Sequence, residues 1–98
     1  MEFAVDIQKK LEQDFGSELA GAKDEIEALY AKTNWQIGNR IIRSIIYLAK
    51  GDLESLKANT ELALADHQDV VWLAEYDRGD EQLRNFSKTF QELGLLQS

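Results

Sequence analysis

The stretch Trp35–Gly51, WQIGNRIIRSIIYLAKG, is the most apolar run of this chain and holds no acidic residue. Within it Ile41, Ile42, Ile45, Ile46, Leu48 and Ala49 recur at offsets of one, three and four, the period of a helix face rather than a strand. Thr33-Asn34-Trp35-Gln36 fits a capping box, in which the Thr33 hydroxyl accepts from the Gln36 amide and the Gln36 side chain reaches back. Lys50 suits the negative end of the helix dipole, and Gly51 suits the left-handed residue that stops it. The pattern predicts a central helix over Thr33–Gly51. Gly38 inside such a helix is costly unless a neighbour packs closely there.

Downstream, Asp52 reads as an N-cap. Leu53, Leu56, Thr60, Ala63, His67, Val70, Val71 and Ala74 then form one stripe, which predicts a single helix of about 25 residues. From Val70 to Tyr76 almost no polar face remains, and a helix apolar all round is buried by more than one neighbour. Arg78-Gly79-Asp80 reads as a helix-breaking turn rather than an adhesion motif. Asp80 would cap a last helix striped by Leu83, Phe86, Phe90 and Leu93 and closed by Gly94.

Upstream, Phe3, Ile7, Leu11 and Phe15 fall four apart. Gly16-Ser17 predicts a break, with Ser17 capping a second helix striped by Leu19, Ala22, Ile26, Leu29 and Tyr30. A single helix over 3–32, weakened at Gly16 and Gly21, is the alternative. The expected fold is all-α: one domain over 1–98, a small antiparallel bundle of four to five helices. Residues 1–16 are then either peripheral or continuous with 17–32. The expected core is Ile41, Ile42, Ile45, Leu48, Leu56, Ala63, Val70, Val71, Ala74, Phe86 and Phe90.

Proline is absent, which favours helices joined by glycine and polar turns. Cysteine is absent too, so there is no disulfide, no thiolate nucleophile and no Cys-based zinc site. The first residues, MEFAVDIQKKLEQDF, lack the apolar core of a secretory leader. Ile41–Ala49 is too short to span a bilayer and carries Arg43. Together these point to a cytoplasmic protein without a membrane partner. The net charge of −7 argues against nucleic acid, whose binding needs a basic surface. The charge is uneven: 32–50 carries four bases and no acid, between acidic segments over 1–31 and 51–77. A basic central helix flanked by acidic ones is the main electrostatic feature.

Candidate chemistry is sparse. His67 is the only histidine, and the places three and four away are Ala63, Leu64, Val70 and Val71, none a metal ligand. No metal site and no cofactor are expected. Arg40 and Arg43 lie three apart, so their guanidinium groups could share an anion pocket bounded by Trp35 or Tyr47 and joined by His67. The competing reading pairs them with carboxylates of the flanking helices, such as Glu25, Glu27, Asp66 or Asp69. Asp66, Asp69, Glu75, Asp77, Asp80 and Glu81 read as a solvated acidic face. Trp72, Leu73 and Tyr76 lie where apolar surface exceeds what a small interior covers, which marks an interaction surface. The leading expectation is a non-catalytic protein-interaction or regulatory module, with a homodimer as one form. The alternative is a binding protein or enzyme for a small anion, using Arg40 and Arg43.

Overall fold

Gly38, in extended conformation (φ −83°, ψ 160°), precedes the helix that occupies the centre of the molecule. In the computed structural model, which describes residues 3–34, 36–77 and 79–96, the order is α1 (Val5–Phe15), a 3-10 turn (Gly16–Glu18), α2 (Leu19–Lys32), α3 (Asn39–Ala49), α4 (Leu53–Ala65) and α5 (His67–Tyr76). Among the described residues there is no strand, and the molecule is a small all-α helical bundle. No described helix is long and apolar enough to cross a membrane.

The helix ends depart from expectation in three places, each for a local reason. Thr33 ends α2 instead of starting the central helix. Its hydroxyl turns back along α2 and donates to the Leu29 and Tyr30 carbonyls at 2.9 and 3.1 Å. Gln36 donates to the Thr33 backbone carbonyl instead. The central helix therefore begins at Asn39, and Gly38 lies outside it. Secondly, Ser17 caps nothing: it lies within the 3-10 turn, and α2 follows Glu18 with no side-chain cap. Thirdly, the long helix after Asp52 is two helices. Asp66 takes an extended conformation (φ −157°, ψ 94°), and its carboxylate accepts from the Gln68 and Asp69 amides. It stops α4 and starts α5 in one residue. Asp52 caps α4 as expected, accepting from the Ser55 amide at 3.0 Å.

The central helix packs against α4 and α5 on one side and reaches α1 on the other. Ile42, Ile45, Ile46 and Ala49 are buried there against Ile7, Leu11 and Phe15 of α1, Ile26 and Leu29 of α2, Leu56 of α4, and Val70 and Ala74 of α5. Each fully buried aliphatic side chain contributes about 1.5–3 kcal/mol. Of the expected core, Ile41, Leu48 and Val71 are only partly buried.

The largest departure is at the C-terminal end. Residues 79–96 form no α-helix, and Asp80 starts none. Phe86 and Phe90 are nevertheless fully buried, 5.9 Å apart edge to face, with the Tyr47 ring tilted at 46° to Phe86 and 5.2 Å from it. The segment is a strap that inserts two aromatic anchors. Three of its amides are taken by acceptors outside the segment: Leu83 and Phe86 donate to Glu75, and Phe90 donates to Asp6. Thr89 and Glu92 cap one another reciprocally, at 2.9 and 3.1 Å, and hold a single turn.

At the α3–α4 corner Gly51 has φ +77°, and a Cβ there would lie 2.7 Å from the Asp14 carbonyl oxygen. Gly94 also has positive φ, +72°, but faces open space. G94A should therefore cost about 1 kcal/mol from backbone conformation alone. G51A should cost at least twice that, since α1 must also move. Urea denaturation of both variants checks the order; equal losses would contradict the close approach.

Candidate functional site

Two guanidinium groups on α3 govern the polar interior. Arg43 donates from Nε to Asp6 Oδ2 at 2.8 Å and from Nη2 to Oδ1 at 3.1 Å. Its Nη1 donates to the Phe86 carbonyl at 3.2 Å. One turn earlier, Arg40 donates from Nε and Nη2 to Glu75 at 2.8 and 2.6 Å. Both are bidentate pairs, the geometry that suits a planar guanidinium to a carboxylate. Each carboxylate also accepts one strap amide, Phe86 at Glu75 (2.9 Å) and Phe90 at Asp6 (3.0 Å). Gln82 adds a further donor to Glu75 at 2.7 Å. The two pairs thus repeat one device: an α3 arginine, an acid from another helix, and a phenylalanine amide of the strap.

Burial differs between them. The Glu75 side chain is fully buried while Arg40 is 44% exposed. The Asp6 and Arg43 side chains are both nearly buried, at 4% and 9%. Burial by itself pushes both carboxyls upward. For Asp6 the Arg43 and Phe90 hydrogen bonds outweigh it, and the pKa falls below its ordinary value. For Glu75 the Arg40, Phe86 and Gln82 hydrogen bonds do the same. Hydrogen bonding to Glu75 raises Arg40 further against a smaller desolvation effect. Among the described residues no buried side-chain nitrogen or oxygen lacks a partner.

The arginines expected at an anion pocket are therefore matched by intrachain carboxylates, and they reach toward different helices, α5 and α1. The acids differ from those expected. Glu25 lies 3.9 Å from Lys57, and Asp66 caps α5. Asp6 gives no warning in the sequence. Glu75 gives one: it is the sole charge between Val70 and Tyr76, a segment without a polar face, so its place on a solvated acidic surface is corrected to the interior.

A groove lies where the start of α3 meets the α4–α5 junction. It consists of two adjoining depressions, of about 270 and 300 Å3, that share Ile41 and His67. Ile37 and Leu64 line the first, Arg40 and Val71 the second. Leu64 is 42% exposed and Trp72 41%. Trp72 stands one helical turn beyond Gln68, which also lines the groove, so it extends the apolar strip along α5. His67, expected at a ligand pocket, is exposed at the groove floor's shared edge. Tyr76 and Leu73 are half-buried; Tyr76 lies near Arg40, while Leu73 lies about 100° around α5 from Trp72, away from the groove. Trp35 lies outside the described residues. Among the described residues no group of three His, Asp or Glu side chains is placed to hold a metal ion.

No protein-family model, curated protein or solved structure matches this chain. Its chemistry is read from the geometry alone: the charged groups of the interior tie elements together, and the groove offers apolar contact.

Both pairs make stability depend on acid. The folded-state carboxyls titrate below their unfolded values near 3.8 and 4.5, so they stabilise the fold while ionised. That contribution is complete above about pH 5 and is lost as pH falls through the lowered folded-state values. D6N leaves Arg43 buried without its counter-charge and should cost about 3 kcal/mol at neutral pH. Its unfolding midpoint in urea should also lose part of the wild-type acid dependence. A D6N protein as stable as wild type at pH 7 would contradict this assignment.

Proposed function

We propose that this chain is a non-catalytic protein-interaction module whose docking surface is the groove at the α3 start and the α4–α5 junction. The observation that carries the reading is the apolar strip of Ile41, Leu64, Val71 and Trp72, left at the surface around paired depressions. Contiguous apolar surface on a small folded domain marks a contact site more often than a chance exposure. Leu64 and Trp72 come from separate helices, so the strip is a property of the fold rather than of one amphipathic element.

The interior supports the same reading. The two arginines best suited to bind a small anion are engaged by Asp6 and Glu75, and they hold the strap in place. The cysteine-free composition suits a reducing compartment, and we place the module in the cytoplasm. The acidic surface disfavours a nucleic-acid partner. A second copy of the chain is the other protein that could occupy this face. Its symmetric approach would bring two like-charged rims together, which opposes association.

Site-specific photo-crosslinking in cells that make the protein tests this. A photoreactive phenylalanine analogue in place of Leu64 should yield discrete heteromeric adducts, and the same probe in place of exposed Ala28 on α2 should not. An adduct of twice the chain mass at position 64 would assign the face to a homodimer instead. No adduct at position 64, or the same pattern at both positions, would contradict the groove as a docking surface.

A further inference from the structure

We propose that the partner segment seated in this groove carries one carboxylate among apolar side chains and sets it on the unused edge of Arg40, an inference that rests on the interaction-module reading and specifies its partner. Arg40 has donors left over. A guanidinium holds five N–H groups in a flat fork. Arg40 commits its Nε and one Nη2 hydrogen to Glu75. Its Nη1 donates to nothing among the described residues. The side chain is exposed and lines the second depression. The Nη1–Nη2 edge is thus unclaimed, and its two parallel donors match the two oxygens of a carboxylate. Arg43 offers no such edge, because its Nε, Nη1 and Nη2 are all engaged and its side chain is nearly buried.

The rest of the lining has the same sense. Among the described residues no aspartate or glutamate lines either depression. The polar side chains there are Thr33, Gln36, Arg40, His67 and Gln68, each able to donate a hydrogen bond. The nearby acids are placed elsewhere. Glu75 is buried beneath Arg40, and the Asp66 carboxylate accepts from amides of its own helix. Asp69 lies four residues before Leu73 on α5, on the side away from the groove. The backbone adds to this. α5 has its positive end answered by the Asp66 cap, whereas α3 starts at the groove with no side-chain cap and no acid in its first turn.

The net charge of −7 limits how acidic the occupant is. A run of acids would be repelled by the chain as a whole. That field is screened over about 8 Å at physiological ionic strength, so a single carboxylate at hydrogen-bond distance answers mainly to the lining. Around it Ile41, Val71 and Leu64 call for apolar side chains, and Trp72 carries the apolar contact beyond the depressions. That extension suits a polypeptide better than one small molecule.

The test uses the full chain, labelled with 15N, and four probes. Three are capped peptides of about ten residues, alike except at one place. Each has leucine and tryptophan on both sides of a central glutamate, glutamine or lysine, with serines at the ends for solubility. The fourth is decanoate, an anion with an apolar tail and no peptide. The glutamate peptide should shift the amides of Ile41, Leu64, Val71 and Trp72 and the Arg40 Nε signal, and saturate. It should bind about fivefold tighter than the glutamine peptide, with the lysine peptide weakest. R40K keeps a positive charge beside Glu75 but has no second edge. In R40K the glutamate peptide should fall to the affinity of the glutamine peptide, which itself should be unchanged. The wild-type comparison of the three peptides stands by itself if R40K does not fold.

Binding of the glutamine or lysine peptide as tight as that of the glutamate peptide would overturn the carboxylate assignment and leave the groove as a docking surface. Decanoate binding at the same amides more tightly than any peptide would assign the site to an anionic lipid and overturn the inference. If no peptide moves these amides while a heteromeric adduct still forms at position 64, the inference falls and the interaction-module reading stands. If neither is seen, both fall.

Discussion

The fold depends on two guanidinium groups placed one turn apart on an otherwise apolar helix. Arg40 and Arg43 each meet a buried carboxylate from another helix, and each carboxylate meets an amide of the C-terminal strap. A buried carboxylate alone would be expensive, and so would a buried guanidinium. Together, with backbone donors completing the acceptor sites, they form a satisfied network that fixes where α1, α5 and the strap stand relative to α3. The gain is one of arrangement more than of raw stability, since buried pairs of this kind often do no better than apolar replacements. The apolar contacts of the core supply most of the stabilising free energy, and the pairs determine which contacts can form.

This arrangement explains how the chain closes its core without a final helix. Phe86 and Phe90 are as buried as any isoleucine of α3. They reach the interior on a strap, and their own amides find acceptors on Glu75 and Asp6 rather than four residues back. Arg84 completes the closure: its guanidinium lies 4.7 Å above the Tyr47 ring and donates to the Ala74 carbonyl near the end of α5. Lys10 of α1 fastens the far end by donating to the Leu95 carbonyl at 3.0 Å. Arg40 has a second role. Half-exposed, it lines the groove while neutralising Glu75, so the interior network and the proposed docking surface share one side chain.

Much of the architecture was legible in the residues, because the apolar stripes at helical period do not depend on context. The α3 stripe, the stripes of residues 3–32 and the Asp52 cap could all be read that way. The ends were harder. Thr33 can cap either end of a helix, and its choice of the Leu29 and Tyr30 carbonyls is visible only in three dimensions. Asp66 was masked because Ala63, His67 and Val70 keep the helical phase straight through it. The strap misled for a deeper reason. Leu83, Phe86, Phe90 and Leu93 have helical spacing, yet the acceptors that capture Phe86 and Phe90 lie 11 and 84 residues away in sequence. Trp72 and His67 stand out in the sequence and adjoin the groove, while nothing in the sequence marks Leu64 and Ile41 for its lining.

The strap is held by buried carboxylates and not merely laid over the core. Native-state amide hydrogen exchange at Phe86 and Phe90 tests it most directly. Neither residue lies in regular secondary structure, yet both amides should be protected to the same level as the slowest amides of α3, opening only with global unfolding. Exchange of these two amides at the rate of an open loop, with α3 still protected, would contradict it.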